Sequence, residues 1–438
     1  VNDLLKDRIA KLLPAARPSV TGRVTGVVGL SVSVAGLTAR VGDLVSIGTR
    51  PDDLLAEVVA LGTDRVVCLP LGPLRGVGIG SPVVSTGAPL RVQVGDSLRG
   101  RVLDGLGRPM DGGPPLTDTE PVTVDLAPPS ALDRQLISEP LQLGVRALDT
   151  AVPCGQGQRI GIFAGSGVGK SSLLSMITRG TSAQITVVAL IGERGREVRE
   201  FLEHDLGPEG LARSVVVVAT SDQPPVVRLR AGFVATRIAE WYRDRGADVL
   251  LLMDSLTRIA MAQREVGLSA GEPPATRGFP PSVFALLPTL LERAGPASRG
   301  SITGLYTVLV EGDDHNEPIA DTARSILDGH VVLERRLATA GHFPSIEVLE
   351  SVSRVTRAIT TPEQRADMST LRRLMSAHRD VRELVEIGAY VPGTNPDADM
   401  AHALWPQITA FLRQDVDHQV PAAESWRALH DLLNQGAT

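Results

Sequence analysis

The sequence predicts an α/β chain in three parts: a small N-terminal β-barrel, a central parallel sheet flanked by helices, and a C-terminal helix bundle. Three observations predict it. Short Val-rich runs broken by Gly, Pro and Asp fill residues 19 to 90. Continuous apolar runs then alternate with helical segments from about 145 to 355. After about 360 the strand signals stop and helical spacing remains.

The barrel rests on "VTGRVTGVVGLSVSVAG", "LTARVGDLVSI", "LAEVVALGTDRVVCLPL" and "GSPVVST". Their regular beat of strand and turn suits short antiparallel strands closing on themselves. The Gly/Pro-rich passage "GDSLRGRVLDGLGRPMDGGPP", 95–115, reads as a linker. The runs "RIGIFAG", "ITVVALIG", "SVVVVAT", "VLLLMD" and "SITGLYTVLVEG" are apolar throughout, as strands are when helices cover both faces of a parallel sheet. Helical segments at 170–180, 226–244 and 282–294 lie between them. "PEQRADMSTLRRLMSAHRDVRELVEIGAY" and "ADMAHALWPQITAFLRQD" supply the bundle. Ahead of the barrel, Leu5, Ile9, Leu12 and Leu13 recur at helical spacing, and Pro14 and Pro18 end that segment. Two readings stand for it: a helix packed on its own domain, or one that docks a partner or a membrane surface. The expected bounds are a docking helix at 1–18, the barrel at 19–92, the parallel-sheet domain at 93–358 and a helical domain at 359–438.

Composition excludes several classes. The 438 residues are 43% hydrophobic and 21% charged, an ordinary globular balance with core enough for two or three domains. A net charge of −6 argues against nucleic acid as a partner. Cys68 and Cys154 stand far apart without metal-ligand spacing, so neither a disulfide framework nor a zinc site is expected. No signal-peptide pattern opens the sequence, and the apolar run 249–253 is far too short to span a bilayer. The expectation is a cytoplasmic protein, at most peripheral to a membrane. Almost all basic residues are Arg; the lysines are Lys6, Lys11 and Lys170.

Lys170 lies in "AGSGVGKSS": Ala164, Gly165, Ser166, Gly167, Val168, Gly169, Lys170, Ser171, Ser172. The stretch follows a strand and opens a helix. Its glycines let successive backbone N–H groups wrap a phosphate, and the helix N-terminus adds partial positive charge. Lys170 can reach β- and γ-phosphates, and the Ser171 hydroxyl can ligate Mg²⁺. Ala164 replaces the first Gly of the strict pattern. Asp254, closing the strand "VLLLMD", is placed to hold Mg²⁺ directly or through water. Such a loop specifies a nucleotide site, not hydrolysis, which also needs a group that activates water. In "GERGREVREF", 192–201, Glu193 at a strand end has that chemistry, and Arg194 could meet a γ-phosphate. On spacing alone Glu193 divides evenly between that role and a solvated turn. Glu197 and Glu200 read as solvated helix residues.

Taken with "MDSLTRIAMAQRE", "GEPPATRGFPPSVF", "GSITGLYTVLVEGDDHNEPIADTARSILDGHVVLERRLA" and "GHFPSIEVLESVSRV", these segments resemble the catalytic subunits of the rotary ATP synthase superfamily, most closely the flagellum-specific ATPases of the type III export apparatus. The resemblance spans nearly the whole chain. It implies a RecA-like P-loop ATPase domain between barrel and bundle, with ATP and Mg²⁺. It implies that Glu193 polarises the attacking water and that Arg194 and Arg258 serve the phosphates. Arg354 matches an arginine finger offered to a neighbouring subunit, which implies a homo-hexameric ring. Phe343 falls where the family places an aromatic under adenine, and Phe411 either closes that pocket or belongs to the core. The resemblance further implies a coiled-coil stalk at the pore-facing loop 271–284 and a stator-like regulator at the N-terminal helix. The export gate and chaperone–substrate complexes would meet the C-terminal bundle, at the inner membrane. The run 311–330 favours the flagellar form over a virulence secretion ATPase. A non-catalytic ring subunit would lack Glu193.

Overall fold

A computed structural model describes residues 21–48, 53–310 and 317–435. The N-terminal segment with Lys6 and Lys11 lies outside the described residues. The chain forms two compact units. One comprises the described residues up to Arg91 with 224–226 and 265–273; the other holds the remainder.

In the first unit six strands close a barrel: β1 (Thr21–Val28), β2 (Ser31–Ala35), β3 (Asp43–Ile47), β4 (Leu54–Leu61), β5 (Val66–Pro70) and β6 (Pro82–Pro89), in the order β1-β2-β5-β4-β3-β6. Alternation builds it. In β2 the two valines Val32 and Val34 are fully buried while Ser31 and Ser33 are only partly so. The inward set Val24, Val32, Val34, Val45, Val58 and Cys68 fills the interior. Burial pushes the Cys68 thiol up to about 12, which keeps it protonated and inert.

The second unit is built on a sheet of β7 (Val102–Asp104), β8 (Arg159–Ala164), β9 (Ile185–Ile191), β10 (Ser214–Ala219), β11 (Asp248–Asp254), β12 (Ser301–Leu309), β13 (Gly329–Leu333) and β14 (Val352–Ser353). Their spatial order is β14-β13-β8-β12-β11-β9-β10-β7. All neighbours are parallel except β14, which pairs antiparallel with β13. Every residue of β9 and of β10 is buried, which is why both are apolar throughout. The passage expected to be a linker therefore contributes a strand. Val102, Leu103 and Asp104 pair with β10 at the sheet edge. Three residues are too few to show a period, and the surrounding Gly and Pro hide them. Asp111 fixes this edge by accepting from Arg101 Nε and Nη2 at 2.8 and 2.7 Å and from Val102 N at 2.9 Å.

The helices that carry the site are α1 (Lys170–Gly180), α2 (Gly195–Glu200), α3 (Pro225–Arg243), α4 (Leu256–Ser269), α5 (Pro281–Leu291) and α6 (Pro318–Ile326). The C-terminal part is α7 (Pro362–Glu386), α8 (Pro396–Leu412) and α9 (Ala422–Gln435). Thr361 caps α7 in a reciprocal capping box with Gln364, and Asn395 caps α8. Leu371, Leu374, Ile408 and Leu429 from these helices join the core of the second unit. Among the described residues no helix is long and apolar enough to cross a membrane.

Candidate functional site

The strand order decides what meets at the C-terminal edge of the sheet. The phosphate-loop strand β8 and the Glu193 strand β9 adjoin in sequence among these long strands but not in space. β12 and β11 lie between them. The loops after β8, β11 and β9 nonetheless open on one edge, the crevice where ligands bind in open α/β sheets.

Residues 165–169 form a turn from β8 into α1. Gly167 and Gly169 have φ of +74° and +89°, in the left-handed region that favours glycine. A Cβ on Gly169 would also stand 3.1 Å from the Phe343 ring. Two groups hold the loop from outside. Ser345 Oγ donates to the Val168 carbonyl at 2.5 Å, and Arg335 Nη1 donates to the Ser166 carbonyl at 3.1 Å. Both carbonyls are thus drawn outward, which leaves the loop's N–H groups for an anion. Ser171 and Ser172 are exposed on the first turn of α1.

Lys170 reaches across the edge. Its Nζ donates to Asp254 Oδ1 at 2.5 Å and stands 3.5 Å from Glu193 Oε1. The three side chains are 14, 7 and 16% exposed. Burial works to deprotonate Lys170, but Asp254 and then Glu193 outweigh it, and its pKa is raised. Glu193 is raised as well: burial dominates, Lys170 opposes it, and Asp254 and Glu197 add to it. Thr307 Oγ1 donates to the same Asp254 oxygen at 2.7 Å. Its position one residue past Tyr306, the partner of Met253, sets that contact. Gly192 has φ +71°, and a Cβ there would collide with Arg258 Cγ at 2.9 Å. The Arg258 stem therefore lies on this strand end. Its Nε is buried with no hydrogen-bond partner among the described residues.

The other expected residues divide. Arg194 points outward, 78% exposed, beside Glu197 at 3.6 Å. Phe343 is 44% exposed beside Gly169. Phe411 is 5% exposed and lies in the core, with the Arg146 guanidinium 5.8 Å from its ring centroid. Arg354 stands apart. It follows β14, whose Ser353 pairs with Gly329 at the start of β13, while Ala164 at the phosphate loop pairs with Leu333 at its end. Four residues of strand separate those levels, roughly 13 Å. Arg354 is exposed at the opposite end of its own sheet. Thr307, Ser345 and Arg335 carried no signal in the sequence, because only strand pairing brings them to the loop.

Family models describe the same three segments. The ATP synthase alpha/beta family β-barrel domain matches residues 24–87, the nucleotide-binding domain of that family matches 144–353, and the T3SS EscN ATPase C-terminal domain matches 360–431. The flagellum-specific ATP synthase of Bacillus subtilis (strain 168) is 49% identical, over 94% of this chain and 94% of its own. The chain belongs to the ATP synthase alpha/beta family. Within it, this ATPase stands in the branch of flagellum-specific and type III secretion enzymes. The type 3 secretion system ATPase of Xanthomonas euvesicatoria is 48% identical, over 92% of each chain. The assembled ATPase EscN of the enteropathogenic E. coli type III secretion system superposes with a TM-score of 0.90 at 46% identity. That match covers 94% of this ATPase and all of EscN. EscN has also been solved in complex with its central stalk EscO, with a TM-score of 0.88.

Proposed function

We propose that this ATPase hydrolyses Mg-ATP in a homo-hexameric ring and that the energy drives flagellar protein export. The observation that carries the hydrolytic reading is the meeting of Lys170, Asp254 and Glu193 at one strand edge. An ammonium already sits where cationic charge is wanted, held by a carboxylate that can exchange it. As ATP enters, the loop N–H groups and Lys170 Nζ take the phosphates, and Asp254 is released from Lys170. Ser171 and Asp254 supply a hydroxyl and a carboxylate, the hard oxygen donors Mg²⁺ accepts while keeping waters. Mg²⁺ held by these two residues would supply positive charge to the phosphates. Glu193 orients the attacking water and takes its proton, and Arg194 and Arg258 turn toward the γ-phosphate. Phe343, exposed beside the loop, is the adenine contact, and Phe411 supports it from the core.

Arg354 faces away from its own Lys170, so its charge serves a neighbour's nucleotide, and a ring follows. The loop 271–284 would face a coiled-coil stalk. The N-terminal segment 1–18 would meet a stator-like regulator, and the C-terminal bundle the export gate and chaperone–substrate complexes, at the cytoplasmic face of the membrane. The secretion ATPases match almost as well as the flagellar ones, so a virulence-type export ATPase is the second reading. Restoring motility in a flagellar-export null strain separates the two. The test of the site is Glu193→Gln. It should keep Mg-ATP binding and lose turnover by about 100-fold or more; undiminished phosphate release would remove Glu193 from the role.

A further inference from the structure

The end of the sheet opposite the nucleotide site carries a partly buried charge network. Arg159, the first residue of β8, grips Asp328 through Nε at 3.0 Å, Nη2 at 3.1 Å and its own backbone N at 3.1 Å. Its Nη1 also pairs with Glu292 Oε1 at 2.5 Å. Arg134 joins from the segment before β8. Its Nη2 bonds the Glu292 carbonyl, and its Nη1 donates to the Ala294 carbonyl at 2.9 Å. The Arg159 side chain is 13% exposed and that of Asp328 26%, so the fork is partly shielded from water. Two-point geometry fixes direction as well as distance.

The held residue, Asp328, then holds the edge strand. Its carbonyl accepts from Arg354 N at 3.0 Å and from Gln158 Nε2 at 3.0 Å. The same Gln158 amide donates to Ser353 Oγ at 3.0 Å. Gly329, next to Asp328, leaves no room for a side chain: a Cβ would stand 2.5 Å from the Val352 carbonyl. The backbone leading into Arg354 is thus seated against the Asp328 turn. Its guanidinium stays at the surface, where Nη2 donates to the Arg324 carbonyl at 3.4 Å. The pattern is a fixed base under an exposed head.

We infer that Asp328, clamped by Arg159, is a positioning residue for the arginine that completes a neighbouring subunit's active site. The inference rests on the reading of Arg354 as that arginine. The Arg159–Asp328 fork starts on the strand that leads into the subunit's own phosphate loop. A rigid link therefore runs from one nucleotide site to the arginine serving the next.

The test uses Asp328→Asn in the full chain, with Arg159→Lys as a second variant that keeps the charge and loses the fork. Ring assembly is followed by mass photometry, binding by a fluorescent ATP analogue with Mg²⁺, and turnover by phosphate release. Assembly and binding should hold while kcat falls about 10- to 100-fold, the scale of a misplaced catalytic group. The deciding measurement is mixing with Glu193→Gln rings, under conditions that exchange subunits. An Asp328→Asn subunit has an intact water-activating site, and a Glu193→Gln subunit has an intact Arg354. Interfaces that combine them should turn over, so the mixture should exceed either parent. If Arg354→Ala is rescued by mixing and Asp328→Asn and Arg159→Lys are not, the positioning role is wrong while the finger stands. If Arg354→Ala is not rescued either, the finger reading itself falls. If neither Asp328→Asn nor Arg159→Lys assembles, the network is structural and the inference is overturned.

Discussion

The two ends of the central sheet both bury ionic groups, and they use them in opposite ways. At the C-terminal edge, Lys170 is shared between Asp254 and Glu193, at 2.5 and 3.5 Å, next to the exposed Ser171 and Ser172. At the other end, Arg293 meets Glu240 through two bonds of 2.8 and 2.7 Å, with the pair 1 and 0% exposed. Arg243 Nη1 closes that cluster by donating to the Arg293 carbonyl at 3.0 Å. On the proposed reading, the first set trades partners when a triphosphate arrives. The second is shut in the core, where Glu240 has beside Arg293 only a looser contact with Arg237 Nη1 at 3.6 Å among the described residues. Charge is built to be exchanged at one end and to be kept at the other.

The largest test of that contrast is Glu240→Ala. It strands Arg293 in the core, and breaking a buried pair from one side costs about 3–5 kcal/mol. Chemical denaturation should show an unfolding free energy lowered by that amount. A loss under about 1 kcal/mol would mean that water reaches Arg293 and that the lower end is not closed. Replacing both partners by apolar residues of similar volume should recover most of the stability, since the cost lies in the unpaired charge.

A second test uses the ligand. Whatever binds only the folded state adds stability, about 2.7 kcal/mol at a hundredfold excess over Kd. The Glu240→Ala protein, weakened as it is, should keep that increment with Mg-ATP, because its upper edge is untouched. Lys170→Ala should lose it, because the ammonium that meets the phosphates is gone. Denaturation midpoints with and without nucleotide decide the matter. Equal increments in both variants would detach Lys170 from nucleotide binding.

These regions were not equally legible in the sequence. The phosphate loop is local: its glycines, lysine and serine adjoin, and their spacing alone prescribes the turn. The long strands β9 to β12 were legible too, because burial on both faces demands unbroken apolar runs. What the sequence hid depends on pairing. Thr307 supports Asp254 only because β12 lies beside β11, and no local pattern says so. β7 escaped because three residues carry no periodicity. Phe411 left two readings open because an aromatic on an amphipathic helix suits a core or a pocket equally; its 5% exposure places it in the core. The Arg159–Asp328 fork joins residues 169 positions apart, which only the fold can bring together.

The finest test sharpens how the exchanging end is tuned. Glu193 has its carboxyl raised by burial first, with Lys170 opposing and Asp254 and Glu197 adding to the rise. A base acts in its ionised form, so activity is lost as pH falls through its pKa. A raised pKa therefore moves that loss to higher pH than the ordinary Glu value of about 4.3. In kcat/KM, which reports the free enzyme, the acid limb should lie above that value. Glu197 sits one turn into α2, half-exposed and paired loosely with Arg194 at 3.6 Å. Glu197→Gln removes one negative neighbour, which eases ionisation of Glu193. The acid limb should then shift toward lower pH while the plateau rate holds within about twofold. A limb that moved up instead would show that Glu197 reaches Glu193 mainly through Arg194, by freeing that guanidinium to swing away. A limb that stayed in place would show that the α2 turn is solvated enough to screen the pair, so that burial and Asp254 alone set the base.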